Sequence, residues 1–293
     1  MQRKTVLGFT AALALATIVV GAPLATAEPR PDANTVGDDS GSEDLVAIGL
    51  TTSGNRLVSF GVDTPEQVSG IGFVRGLQGD SRLIGIDYRV QNGLLYGVGN
   101  AGGIYTLDES NAAASKVSQL TVALTGTSFG VDFNPAADRL RVVSDTGQNL
   151  RHDVNPGGTT TVDLTLTYPP ATTPATGVTG SAYTNNDLDT NTNTTLYGLD
   201  TNLNQVAIQS PANNGTLAAT GLLTVDPGTN AGFDIYSKIR NGTTVDLFAY
   251  ATLRVGGSYQ VYEITLFSGN AELEGNFPRF NQVMDLAMPL NQL

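Results

Sequence analysis

The sequence predicts an all-β fold, a five-bladed β-propeller with one blade closed by strands from both ends of the chain. Three observations carry this: a short signature recurs at blade-like spacing, the same order of strands follows each copy, and the ends of the repeat region complement one another.

The signature is Gly85-Ile86-Asp87-Tyr88, followed by Gly130-Val131-Asp132-Phe133, Gly180-Ser181-Ala182-Tyr183 and Gly232-Phe233-Asp234-Ile235, with Val283-Met284-Asp285-Leu286 as a degenerate last copy. The third members stand at 87, 132, 182, 234 and 285, giving steps of 45, 50, 52 and 51, close to the period of about 40–50 residues of propeller blades. After the first copy, strands are expected at 94–98, 103–107 and 116–120. After the second they are expected at 140–143, 150–154 and 161–164, and after the third at 196–199, 206–208 and 217–219. The fourth is followed by 247–250, 259–264 and a weakly marked 271–273. Asn92-Gly93, Thr146-Gly147 and Gly256-Gly257 supply tight turns. The region opens with only three strands (45–50, 56–60 and 69–74), and the lone final strand at 283–287 is the innermost strand that this first unit lacks. Pairing the two ends closes the ring and leaves no unpaired blade. Two separate β domains are the alternative.

Composition fits this reading. Gly 34, Tyr 10 and Phe 10, with 14% charged residues and 40% hydrophobic ones, suit many short strands around an adequate core. Cys 0 excludes disulfides, thiolate nucleophiles and cysteine metal sites, and His 1 excludes a multi-histidine metal centre. Arg3 and Lys4, an apolar run over 6–20 and Ala25-Thr26-Ala27 form the pattern of a cleaved signal peptide over 1–27, which predicts a secreted protein. Residues 28–42 read as a flexible acidic leader and 43–293 as the propeller domain. Setting aside Arg3 and Lys4 leaves 13 basic against 27 acidic residues, a surface that repels nucleic acid and anionic membranes. No membrane insertion is expected after signal cleavage, and a monomer is expected.

The runs Gly130-Val131-Asp132-Phe133-Asn134-Pro135, Asp138-Arg139-Leu140-Arg141-Val142-Val143-Ser144, Gly147-Gln148-Asn149-Leu150-Arg151 and Ala182-Tyr183-Thr184-Asn185-Asn186 carry a resemblance. Over roughly residues 43–290 the chain resembles the bacterial family of secreted, propeller-like proteins known as domain of unknown function 4394. The resemblance implies fold and export. It implies no activity.

The repeated acids are the first chemical candidates. A propeller's innermost strands line its central channel, which places Asp87, Asp132, Asp234 and Asp285 at equivalent points, with Ala182 in the fifth. Each could accept hydrogen bonds from the next blade. Alternatively, they form a carboxylate ring whose members raise one another's pKa and suit Ca2+. Asp187, Asp189, Asn191 and Asn193 alternate as oxygen donors, the pattern of a hard-cation loop or of a self-bonded polar turn. An EF-hand starting at Asp187 fails, because Thr192 and Gly198 stand where Gly and Glu are required. His152 has no Gly-x-Ser-x-Gly partner and reads as an inter-blade or surface residue. Asp145, Gln148, Asn149 and Tyr168 fall on loops of one rim, where amides, hydroxyls and a tyrosine could bind a glycan or protein partner.

The expected function is a non-catalytic propeller that binds through that rim, with Ca2+ as a structural cation. The alternatives are a glycosidase-type hydrolase using channel-mouth acids such as Asp132 and Asp234, and a structural cell-surface component.

Overall fold

The computed structural model describes residues 45–293, and the expected signal segment and acidic leader lie outside them. Five four-stranded antiparallel sheets form the five blades of a propeller. Blade 1 pairs β1 (Val46–Thr51), β2 (Arg56–Gly61) and β3 (Thr64–Phe73) with the last strand, β20 (Val283–Ala287), innermost. Blade 2 is β4 (Leu83–Arg89), β5 (Leu94–Gly99), β6 (Gly103–Leu107) and β7 (Ala114–Gln119). Blade 3 is β8 (Phe129–Asn134), β9 (Arg139–Ser144), β10 (Asn149–His152) and β11 (Thr160–Val162). Blade 4 is β12 (Val178–Tyr183), β13 (Leu196–Asp200), β14 (Gln205–Gln209) and β15 (Leu217–Leu222). Blade 5 is β16 (Ala231–Arg240), β17 (Thr243–Val255), β18 (Ser258–Ile264) and β19 (Ala271–Asn276).

The expected closure is present. β20 runs antiparallel to β1, with Gly49 opposite Leu286 and Leu50 opposite Asp285. Beyond β20, the Gln292 side chain accepts from Val46 N and donates to Val46 O, while Leu293 N donates to the Tyr236 hydroxyl.

Burial falls from the axis outward: β4 is buried along its whole length, whereas β7 alternates. The apolar core therefore lies between blades, for example where Ile84, Tyr96, Val98 and Ile104 of blade 2 meet Phe129, Val131, Phe133 and Val142 of blade 3. The glycine that opens four of the five signatures follows from crowding at the axis. A Cβ on Gly85 would stand 2.5 Å from Val131 Cγ2, one on Gly130 2.8 Å from Ser181 N, one on Gly180 2.8 Å from Phe233 Cβ and one on Gly232 2.5 Å from Asp285 Cα. Each of these four inner strands thus packs against the next blade where only a hydrogen fits.

Weak sequence signals in blade 5 understated its strands. β16 and β17 extend beyond the sheet as a long two-stranded ribbon, paired from Ala231 with Leu253 to Arg240 with Thr243. Among the described residues, no helix is long and apolar enough to cross a membrane.

Candidate functional site

The inner strands β20, β4, β8, β12 and β16 bring the repeated aspartates to the axis. Asp87, Asp132 and Asp234 are buried, and their ligand atoms all lie within 4.8 Å of one another. Each carboxylate also reaches across to backbone. Asp285 Oδ2 accepts from Ile86 N at 2.8 Å, Asp87 Oδ2 from Phe133 N at 2.6 Å, and Asp234 Oδ2 from Met288 N at 2.6 Å. Asp132 accepts from the backbone of Tyr183. Where blade 4 has Ala182, Asn186 substitutes: its backbone N donates to Ser237 Oγ and its side chain to Ile235 O. Aspartates therefore stitch four of the five inner strands to the next, and Asn186 does so for β12.

Their electrostatics follow from that crowding. Burial, then the charges of neighbouring acids, hold Asp87 and Asp132 well above the ordinary carboxylate range. Burial does the same to Asp285, and it raises Asp234 to about 6 against its backbone donors. A group of this kind either retains protons or holds a cation, and Asp87, Asp132 and Asp234 are the residues that could hold one.

The loop expected to bind a hard cation spends its oxygens on itself and on blade 5. Asp187 Oδ2 accepts from Thr244 N and Oγ1, and Asp187 Oδ1 from Asp189 N. Asp189 accepts from Asn191 and from Thr243 Oγ1. The loop carrying Asn191 and Asn193 roofs a cavity of about 400 Å3, with Gln91, Pro135 and Asp138 on the facing side.

The entry rim comprises the loops leading into each innermost strand and the hairpins joining second to third strands. Asp145 and Gln148 lie there and fix an entry loop: Asp145 accepts from Thr127 N and Oγ1, while Gln148 accepts from Thr125 N and donates to Ala123 O. Tyr168 donates to Asp200 Oδ2 at 3.0 Å and lines a shallow cavity of about 220 Å3. Asn149 lies away from the rim, 1% exposed between blades 3 and 4, because its amide is drawn into a buried polar network.

That network centres on Arg141, itself 1% exposed. Its guanidinium donates to Asn149 Oδ1 at 2.6 Å, Asp163 Oδ2 at 2.6 Å, Asn213 Oδ1 at 2.9 Å and the Tyr183 hydroxyl at 3.2 Å. A second buried cation, Arg89, forks onto Asp138 at 2.7 and 2.5 Å and reaches Asn155 Oδ1 at 2.9 Å. Neither arginine had been singled out from the sequence as a site residue. The available signal was polarity at strand positions that should be apolar, read as inward-facing charge. His152 is buried between blades, with Nε2 2.7 Å from Ser118 Oγ and Nδ1 3.0 Å from Thr160 Oγ1.

The model of the family described as Domain of unknown function (DUF4394) matches residues 56–287. The chain belongs to this family. The long run by which it resembles DUF4394 proteins can now be read physically: Asp138, Arg139, Arg141, Gln148, Asn149 and Arg151 all bond to neighbouring loops or strands. Of these contacts, Asp138 with Arg89 and Arg141 with Tyr183 and Asn213 join blade 3 to blades 2 and 4. No curated protein sequence matches the DUF4394 chain. Among solved structures it is similar to a chain of a nidogen/laminin complex, at 10% identity over 85% of this chain and 99% of that one, TM-score 0.47. It is also similar to two proteins of Bacteroides thetaiotaomicron, one of unknown function (14% identity, TM-score 0.48) and one titled an auxiliary nutrient binding protein (13%, 0.44). Each of these pairings covers 84% of this chain and 64% of the other. Such distant likeness transfers no function.

Proposed function

We propose that this DUF4394 protein is an exported, non-catalytic binding module that engages a ligand or partner through its entry rim. One observation carries the non-catalytic part: the axial acids are buried, bonded to the backbone of the next blade, and three of them lie within 4.8 Å of one another. Glycosidase carboxylates flank a bond in an open cleft, free to reach substrate. The acids of this chain are instead spent on joining blades. The entry rim combines shallow cavities with loops pinned by Asp145, Gln148 and Asp200, a preformed surface of the kind binding sites use. Export rests on Arg3, Lys4, the apolar run over 6–20 and Ala25-Thr26-Ala27.

The test is an array of polysaccharides and peptides probed with the labelled protein, run beside a panel of chromogenic glycosides. Retention of a ligand that is lost on substituting rim residues, without turnover, supports the reading. Glycoside hydrolysis abolished by Asp132→Asn or Asp234→Asn overturns it.

A second reading is favoured by the same cluster: Asp87, Asp132 and Asp234 carry a hard cation such as Ca2+ that neutralises their charge on the axis. A bound cation keeps the carboxylates ionised, so it reverses the pH dependence of stability that protons alone produce.

A further inference from the structure

Ion-paired arginines are unevenly spread over the blades. The chain carries a formal net charge of −12, and the four described ion pairs engage Arg89, Arg139, Arg141 and Arg151, all on blades 2 and 3. Where blades 5, 1 and 2 meet, Arg56, Arg82, Arg254 and Arg279 form none among the described residues. The loops that carry them are joined directly. Arg56 Nη1 donates to Asn281 Oδ1 at 2.9 Å, Thr52 N to Gln282 O at 3.0 Å, Tyr259 N to Gln282 Oε1 at 2.6 Å, and Leu83 N to Gly54 O at 2.7 Å. Arg254 and Tyr259 line a cavity of about 350 Å3 there.

Two large apolar rings share this sector. Phe280, beside Arg279, is 90% exposed, and Phe73 is 65% exposed with the Arg56 guanidinium 5.9 Å from its centroid. Forked cations beside exposed aromatic rings, on an otherwise acidic protein, complement a partner that offers carboxylates and apolar side chains together.

We infer that this sector is a docking surface for an acidic peptide segment of a partner protein, its carboxylates meeting Arg254 and Arg279 and an apolar side chain covering Phe280. The inference rests on the rim-binding reading and names its partner. A segment of a few residues fits the sector. A long polyanion would run on to the rim of blades 3 and 4, where the partly exposed Asp145 opposes it.

The experiment is fluorescence anisotropy of the full chain with a labelled short peptide alternating Asp or Glu with Leu and Phe. Controls are one peptide with its acids changed to amides and another with its apolar residues changed to Ser. The acidic, apolar peptide is expected to bind with an affinity that falls as salt rises. Arg254→Glu with Arg279→Glu should weaken it about tenfold or more, and Phe280→Ser severalfold, with unchanged thermal melting. Lys238→Glu with Arg240→Glu, on the opposite rim, should leave it unchanged. Equal loss from the opposite-rim pair, or equal binding of the control peptides, overturns the inference. So does binding of polygalacturonate in place of the peptide, or self-association that Arg254→Glu abolishes. If array ligands depend on the rim while the peptide does not bind, this inference fails alone. If rim substitutions affect no ligand, the broader reading fails with it.

Discussion

Arg141 carries a charge into a place sealed from water, and four acceptors surround it there. Desolvating a guanidinium is costly, so the arrangement holds only while its partners are complete. Arg141→Ala strands Asn213 Oδ1 and takes a donor from Asp163 and from Asn149, whose Oδ1 keeps Gln209 Nε2 at 3.3 Å. Asp163 keeps a bond from Arg151 Nε at 2.7 Å, which softens the loss of its charge partner without replacing the other contacts. The expected cost is about 3–5 kcal/mol in urea unfolding, the range for breaking a buried pair from one side. A loss below about 1 kcal/mol would mean that the network adds specificity rather than stability. His152 is the milder case: burial lowers its pKa, so its neutral form is favoured between Ser118 and Thr160.

At the scale of the strand, the innermost elements concentrate like charge. Asp87, Asp132, Asp234 and Asp285 all have folded pKa values above the ordinary 3.9 or so. A raised folded pKa means that the folded state binds more protons between the two values. Stability from these groups is therefore full below about pH 4 and is lost as pH rises through their raised folded values, about 6 for Asp234. His152 acts oppositely, its contribution being complete above about 6.5 and lost on acidification, but it is one group against four. In chelator, the melting temperature should thus rise as pH falls from 7.5 towards 5, and Asp234→Asn should flatten the slope. A slope unchanged by Asp234→Asn would remove the axis from the explanation. If Ca2+ occupies the axis, adding it raises the melting temperature at neutral pH and the trend reverses, since acid then displaces the ion.

For the whole molecule, closure is the decisive feature. β20 supplies Val283, Met284 and Leu286 to the core and Asp285 to the ring, and it places Met288 N against Asp234. Deleting residues 283–293 opens a gap at the centre of blade 1 and exposes the inner edge of β1 and the apolar faces beside it. The expected product aggregates or melts without cooperativity, as sedimentation and circular dichroism would report. A monomer with a sharp transition would show that five blades hold together without the closing strand.

Blade number, strand order, terminal closure and family were legible in the sequence, because each rests on local patterns: Gly at the signature's first position, alternation along outer strands, turn dipeptides at hairpins. Asp87, Asp132, Asp234 and Asp285 could be aligned by spacing alone. What they bond to could not, since Phe133 N, Met288 N and Ile86 N belong to other blades and come into reach only when the ring is wound. The same reason hid Arg141, whose partners lie 8 to 72 residues away in sequence, and drew Asn149 off the rim where its loop position had put it. It also hid the Arg56, Arg254 and Phe280 sector, which three loops far apart in the chain assemble. The sequence determined a closed ring of five blades, because strand periodicity and repeat spacing are properties of neighbouring residues. Only the tertiary structure decided what the charged residues do, because a charge is defined by what surrounds it.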